Sequence, residues 1–238
     1  MVKAIQFHKV TPEFQTCGTW NRPEQFERFI ELACRTSRVV MPAEGEAGLV
    51  ITFDDGDESV YRHAFPILKK HGVRAVVFLI AGYIGARDHW DIPVLSERSR
   101  HLSWDEIREM KEWGIEFGSH TVSHRNLTRL TRCEIEYELL ESKRIIEAAI
   151  GPISCISYPF NRVNGDVIRE ARRAGYTFGF GGSGQSVLAM KKEAVYITDN
   201  IASFSVKINE RPKILYQYDR IKQRVINYFT ITTMLVKR

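Results

Sequence analysis

Cysteine is scarce: Cys17, Cys34, Cys133 and Cys155 are the only four in 238 residues. They are widely spaced with no Cys-x-x-Cys pair, so neither a disulfide framework nor a thiolate zinc site is indicated. No apolar run approaches the roughly 20 residues that a transmembrane helix needs. Charge of one sign is not concentrated either. The 34 Lys and Arg stand against 29 Asp and Glu, a net charge of +5, scattered rather than gathered into the stripe of a nucleic-acid-binding surface. Residues 4–7 lead straight into the chain, too short and polar a start for a signal peptide. The expectation is a soluble cytoplasmic protein with no nucleic-acid partner. What the chain does have is the material of a core. Its hydrophobic share is 44%, and its length suits one large α/β domain over residues 1–238.

Strand and helix patterns alternate along the chain. Strands are expected at 3–7, 49–51, 75–80, 114–118, 153–158, 176–180 and 195–198. Helices are expected at 23–36, 59–71, 103–114, 131–150 and 163–174. Pro23 opens the first helix, whose stripe is Phe26, Phe29, Ile30 and Ala33. Ser103 with Glu106, and Thr131 with Glu134, read as capping boxes. Residues 81–102 form a long loop carrying Trp90 and Asp91, of the kind that lines a cleft. From Lys213 onward Leu215, Tyr218, Ile221, Val225 and Phe229 keep helical spacing among basic residues. This basic amphipathic segment, at about 212–238, reads as a closing helix docked on the fold or a partner, with peripheral membrane contact as the alternative. Strand-then-helix order, with candidate site residues at strand ends, indicates a parallel-strand α/β barrel or sheet. There is no internal repeat and no linker.

Two runs carry the chemistry. Thr52-Phe53-Asp54-Asp55-Gly56 ends a buried strand in a tight turn, where adjacent carboxylates diverge and are free to do different work. Ser119-His120-Thr121-Val122-Ser123-His124 follows a second strand and offers two imidazoles within reach of one ion. One carboxylate and two histidines, with a position left for water, form the donor set of a hydrolytic metal site.

In this order, the two runs resemble the first two motifs of the polysaccharide deacetylase family (NodB homology, carbohydrate esterase family 4). The resemblance implies a distorted, incomplete (β/α) barrel covering nearly the whole chain. It implies that Asp55, His120 and His124 hold one divalent ion, zinc first, with cobalt, nickel or iron suited to the same donors. Asp54 is then the general base. Tyr158-Pro159-Phe160-Asn161 resembles the third motif, which implies oxyanion and substrate binding by Phe160, Tyr158 and Pro159. Ser157 stands where that motif usually has arginine, Asn161 replaces its glycine, and Asp199-Asn200 stands where the fourth motif often has arginine. In the poly-N-acetylglucosamine branch, an aromatic-His pair near the N-terminus supplies the catalytic acid; other members carry it in a C-terminal Leu-x-His. No histidine follows His124, and Phe7-His8 resembles the N-terminal arrangement. His63 and His71 fall in or at the end of a helix and His101 just before a helix cap, so His8 is the expected acid, with His89 as runner-up. The expected activity is metal-dependent removal of N-acetyl groups from sugars of a polymer, oligosaccharide or glycoconjugate. The alternatives are a weakened glycan-binding homologue, an O-deacetylase, or another C–N hydrolase of the superfamily.

Overall fold

The computed structural model describes residues 2–15, 17–87 and 100–209. His89, Trp90, Asp91 and the basic segment at 212–238 lie outside the described residues. Alternation of strand and helix is borne out. β1 (Val2–Phe7) is followed by a short parallel ribbon of β2 (Lys9–Val10) and β3 (Trp20–Asn21), then by α1 (Pro23–Thr36). β4 (Gly48–Phe53), α2 (Phe65–His71), β5 (Val76–Leu79), α3 (Trp104–Trp113) and β6 (Glu116–Ser119) succeed one another. α4 (Arg132–Ile150), β7 (Cys155–Ser157), α5 (Gly165–Arg173), β8 (Phe178–Phe180), β9 (Lys192–Ala194) and α6 (Ile201–Asn209) complete the described chain. Among the described residues no helix is long and apolar enough to cross a membrane.

Seven strands form one sheet in the order β8-β7-β6-β5-β4-β1-β9, every pairing parallel. The sheet curls until its edges meet. Phe180 of β8 bridges Met190, just ahead of β9, and Gly181 N donates to Met190 O at 2.7 Å while Met190 N donates to Gly179 O at 2.7 Å. The result is a nearly closed barrel of seven parallel strands.

Period-two alternation sorts the strand residues into two apolar layers. Ile5, Phe7, Ile51, Phe53, Val77, Leu79 and Ile156 face outward and bury against Phe26, Phe29, Leu68, Ile107, Leu139 and Val167 of the helices. Ala4, Val50, Val76, Phe78, Cys155 and Phe180 share the barrel interior, where the Phe78 and Phe180 rings meet at 5.3 Å. Toward the C-terminal ends of β1, β4 and β7 the inward positions turn polar, with Gln6, Thr52 and Ser157. The Lys192 side chain joins them from the start of β9, and all four are buried. That polar tier is where a parallel barrel places its site.

Both expected capping boxes form, with Ser103 accepting from Glu106 N and Thr131 from Glu134 N. Two expectations need correction. The helix at 59–71 is not uniform: Val60–Ala64 is a π turn, and Phe65 N reaches Val60 O. Pro66 has no N–H for the ordinary i−4 bond, so the ladder widens before α2. The last strand is Lys192–Ala194 and not 195–198. The apolar run there leaves the sheet, with Ile197 N on Gly18 O and Asp199 N on Tyr196 O, while the charged Lys192 turns into the barrel.

Gly118, which leads into the histidine run, has no room for a side chain. A Cβ there would stand 2.7 Å from both Cys155 O and Phe78 Cδ1. Gly118→Ala is expected to cost about 2 kcal/mol by overpacking, a fall in Tm of roughly 4–8 °C for a chain of this size, readable by thermal denaturation.

Candidate active site

Because all seven strands are parallel, their C-terminal ends open on one mouth. Asp54 and Asp55 follow β4, His120 and His124 follow β6, the turn at Phe160 follows β7, and His8 follows β1. The backbone around them is strained. Among the described residues the non-glycine positions with positive φ are Asp55, Thr121, His124, Phe160 and Asn161. Left-handed conformations cost free energy for such residues and persist where surrounding contacts enforce them, typically at functional sites.

Those contacts are visible. The Glu138 carboxylate, 2% exposed, reaches from α4 to accept from Val122 N at 2.8 Å and Ser123 N at 3.0 Å, clamping the loop between the two histidines. Thr121 Oγ1 accepts from His124 N at 3.0 Å. His101 Nδ1 donates to Asp55 O at 2.9 Å, fixing the peptide that follows Asp55.

Asp55, His120 and His124 come together as the sequence implies. Asp55 Oδ1 lies 3.4 Å from His120 Nε2 and 3.5 Å from His124 Nε2, and it makes no hydrogen bond although buried. His120 Nδ1 lies 2.6 Å from Ser157 O. A carbonyl only accepts, so Nδ1 carries the proton and the Nε2 lone pair faces the carboxylates. Two donors held about 2.05 Å from a tetrahedral zinc are roughly 3.4 Å apart. These residues therefore fit a divalent ion, and they form a candidate metal site. A second grouping, Glu27, Glu31 and His71, lies away from the mouth, where Lys70 Nζ pairs with Glu27 at 2.7 Å.

Asp54 is treated differently from its neighbour. Oδ2 accepts from Lys192 Nζ at 2.6 Å, Gln6 Nε2 at 2.8 Å and Ser157 Oγ at 3.0 Å, whereas Oδ1 is buried without a partner. Burial by itself raises this carboxyl's pKa. The Lys192 ammonium, with His120 and His8, more than cancels that and holds it below the usual carboxylate range. Asp54 is thus an anchored anion with one oxygen available to take a proton.

His8 directly follows β1, with Nε2 3.1 Å from Gln6 Nε2 and with Nδ1 buried and unpartnered. The Phe160 ring, 38% exposed, lies 4.8 Å from His124, and its amide N–H donates to no backbone carbonyl among the described residues. Tyr158 must be corrected. Its ring turns into the core, with Oη donating to Leu188 O at 2.8 Å, and its N donates to Phe180 O at 2.9 Å. Neither end is left for a ligand. Pro159 has no N–H to offer an oxyanion, and its carbonyl accepts from Arg162 N in shaping the turn. Sequence reading missed Lys192, Gln6, Glu138 and the role of His101. The one signal for Lys192 was the missing motif arginine: a buried aspartate with no cation demands another source of charge.

A family model described as polysaccharide deacetylase matches residues 43–179, a span that holds Asp54, Asp55, His120, His124 and Phe160 but not His8 or Lys192. The Bacillus subtilis (strain 168) protein YxkH is 33% identical over 135 residues, 56% of this chain and 44% of that protein. The poly-β-1,6-N-acetyl-D-glucosamine N-deacetylase of Staphylococcus aureus (strain MRSA252) is 29% identical over 140 residues, 55% of this chain and 46% of that protein. The chain thus spans less than half the length of the curated relatives it matches. The Streptococcus pyogenes deacetylase PplD, solved with acetate, superposes with a TM-score of 0.74 at 19% identity, covering 87% of this chain and 98% of that one. IcaB from Ammonifex degensii superposes with a TM-score of 0.70 at 22% identity, covering 85% and 93%. At these identities the likeness is one of fold.

Two outcomes are expected from the site geometry. Titration calorimetry with zinc should show one tight site, weakened a hundredfold or more by Asp55→Ala, His120→Ala or His124→Ala and retained in Asp54→Asn. The second concerns pH. Burial pushes the His120 ring from 6.5 down to about 4 in the folded metal-free chain. Unfolding therefore takes up a proton between those values, and metal-free stability falls as pH drops from about 6.5 to about 4. Urea-unfolding midpoints across that range check the sign, and His120→Gln should flatten the slope.

Proposed function

Because the chain belongs to the polysaccharide deacetylase family, we propose that it is a metal-dependent hydrolase that removes the acetyl group from N-acetylated sugar residues, N-acetylglucosamine foremost. The observation that carries the reading is the division of labour between adjacent carboxylates. Asp55 joins two imidazoles in a metal seat, while Asp54 is tied back by three donors on Oδ2 and keeps Oδ1 free. Nitrogen and carboxylate donors at this spacing suit zinc first, then cobalt, nickel or iron.

A divalent ion in that seat would supply Lewis acidity toward water and the acetyl carbonyl. Asp54 Oδ1 takes a proton from the attacking water as its oxygen bonds to the acetyl carbon. The Phe160 amide N–H donates to the oxygen on which negative charge develops. As the C–N bond breaks, its electron pair stays on nitrogen and His8 supplies the proton, so acetate and a free amine leave. An amine is a poor leaving group unless protonated, which is why an N-acetyl substrate needs a donor such as His8 opposite the base. The relation to the Staphylococcus aureus enzyme supports N-acetylglucosamine. Lys192 argues against a weakened homologue, since Asp54 has its cation despite the missing arginine.

Acetate release across N-acetylglucosamine oligomers, acetylated xylan and small cyclic imides tests the reading. The expected result is release from the N-acetylated sugars alone, abolished by a chelator and restored by zinc. Asp54→Asn and His8→Ala should each lower kcat by roughly 10²–10⁴-fold while keeping the metal. Turnover confined to xylan would make the protein an O-deacetylase, and metal binding without turnover on any substrate would make it a glycan-binding homologue.

A further inference from the structure

Gln6 occupies an inward position of β1, 4% exposed, and its amide meets three groups. Nε2 donates to Asp54 Oδ2 at 2.8 Å and lies 3.1 Å from His8 Nε2, while Oε1 accepts from Asn161 Nδ2 at 3.2 Å. The neighbours fix the orientation of this amide. A carboxylate oxygen only accepts, so the NH₂ end faces Asp54, and the carbonyl end remains for Asn161.

Asn161 has φ +54° and follows Phe160 at φ +60°. Glycine would adopt this backbone without strain, and asparagine tolerates it better than most residues. What asparagine adds is the side chain that reaches Gln6. The contact also joins elements that are not neighbours: β7, which leads into Asn161, is separated from β1, which carries Gln6, by β6, β5 and β4 one way round the barrel and by β8 and β9 the other. No strand pairing holds these two elements in register, so the side-chain contact is a direct link between them.

We propose that Gln6 and Asn161 form a tether that sets the Phe160 turn relative to Asp54, both acting as positioning residues. Asp54 and the Phe160 amide act on the same acetyl group from different elements, and a displacement of about 1 Å between such groups costs on the order of a hundredfold in rate. The kinetic consequence of the tether rests on the deacetylase reading above; its geometry does not.

The test is a double-mutant cycle with Asn161→Gly, which keeps the backbone conformation and deletes the tether, and Gln6→Leu, which removes the amide. Asn161→Gly should lower kcat on an N-acetylglucosamine oligomer roughly tenfold, with KM, zinc affinity and Tm unchanged. Gln6→Leu should lower kcat further, because it also leaves Asp54 and His8, and the double variant should be no worse than Gln6→Leu alone. Full kcat in Asn161→Gly, or losses that multiply in the double variant, would overturn the tether. A Gln6→Leu protein that fails to fold leaves the Asn161→Gly outcome decisive. If the native protein releases acetate from no sugar, the deacetylase reading fails, and the tether is then read from the side-chain amide resonances of Gln6 by NMR. These should move in Asn161→Gly, and their constancy would refute the contact.

Discussion

The pairing of Asp54 with Lys192 inside the barrel mouth is the constraint on which the rest of the site depends. Both side chains are almost wholly removed from water, and Nζ sits 2.6 Å from Oδ2. A buried carboxylate left alone would cost several kcal/mol. Lys192, Gln6 and Ser157 offset that by placing three donors on one oxygen. Ser157 Oγ also accepts from Lys192 Nζ at 2.6 Å, so the donors brace one another. Because all three hold the same oxygen, the other one is left bare. The asymmetry that makes Asp54 a base in the proposed mechanism follows from how the anion is accommodated.

The metal seat is held by a separate set of contacts. Glu138 from α4 binds the loop between the histidines, Ser157 O sets the tautomer of His120, and His101 holds the Asp55 carbonyl. Ser157 belongs to both sets, through its hydroxyl and its carbonyl. The strand ends thus deliver two adjacent carboxylates into two environments, one lined by donors and one by lone pairs. Positive φ at Asp55, Thr121 and His124 is the conformational cost of turning these side chains toward a single point.

Much of the fold was legible because strand periodicity and helix punctuation are local. The capping boxes at Ser103 and Thr131, the stripe of α1 and the apolar run of β5 stand as read. Pro66 inside an otherwise regular helical pattern was the missed warning of the π turn. The last strand was misplaced because local pattern pointed the wrong way. Val195-Tyr196-Ile197-Thr198 has the apolar, β-branched look of a strand, while Lys191-Lys192-Glu193 has the look of a solvated loop. Only the closure of the barrel between β8 and β1 makes the charged segment a strand. The same holds within the site. Asp54, Asp55, His120 and His124 were visible as short motifs, whereas Lys192, Gln6 and Asn161 act through contacts that span 138, 48 and 155 residues of sequence. Tyr158 was assigned by its neighbours in the motif, yet its ring is fixed by Leu188, which no motif includes.

The measurement that bears most directly on this account is anomalous diffraction from crystals of the protein grown with zinc. It predicts one dominant peak within about 2.1 Å of Asp55 Oδ1, His120 Nε2 and His124 Nε2, with Asp54 still capped at Oδ2 by Lys192 and absent from the ion's ligands. A peak at Glu27, Glu31 and His71 with none at the barrel mouth, or an Asp54 that abandons Lys192 to ligate the ion, would contradict it.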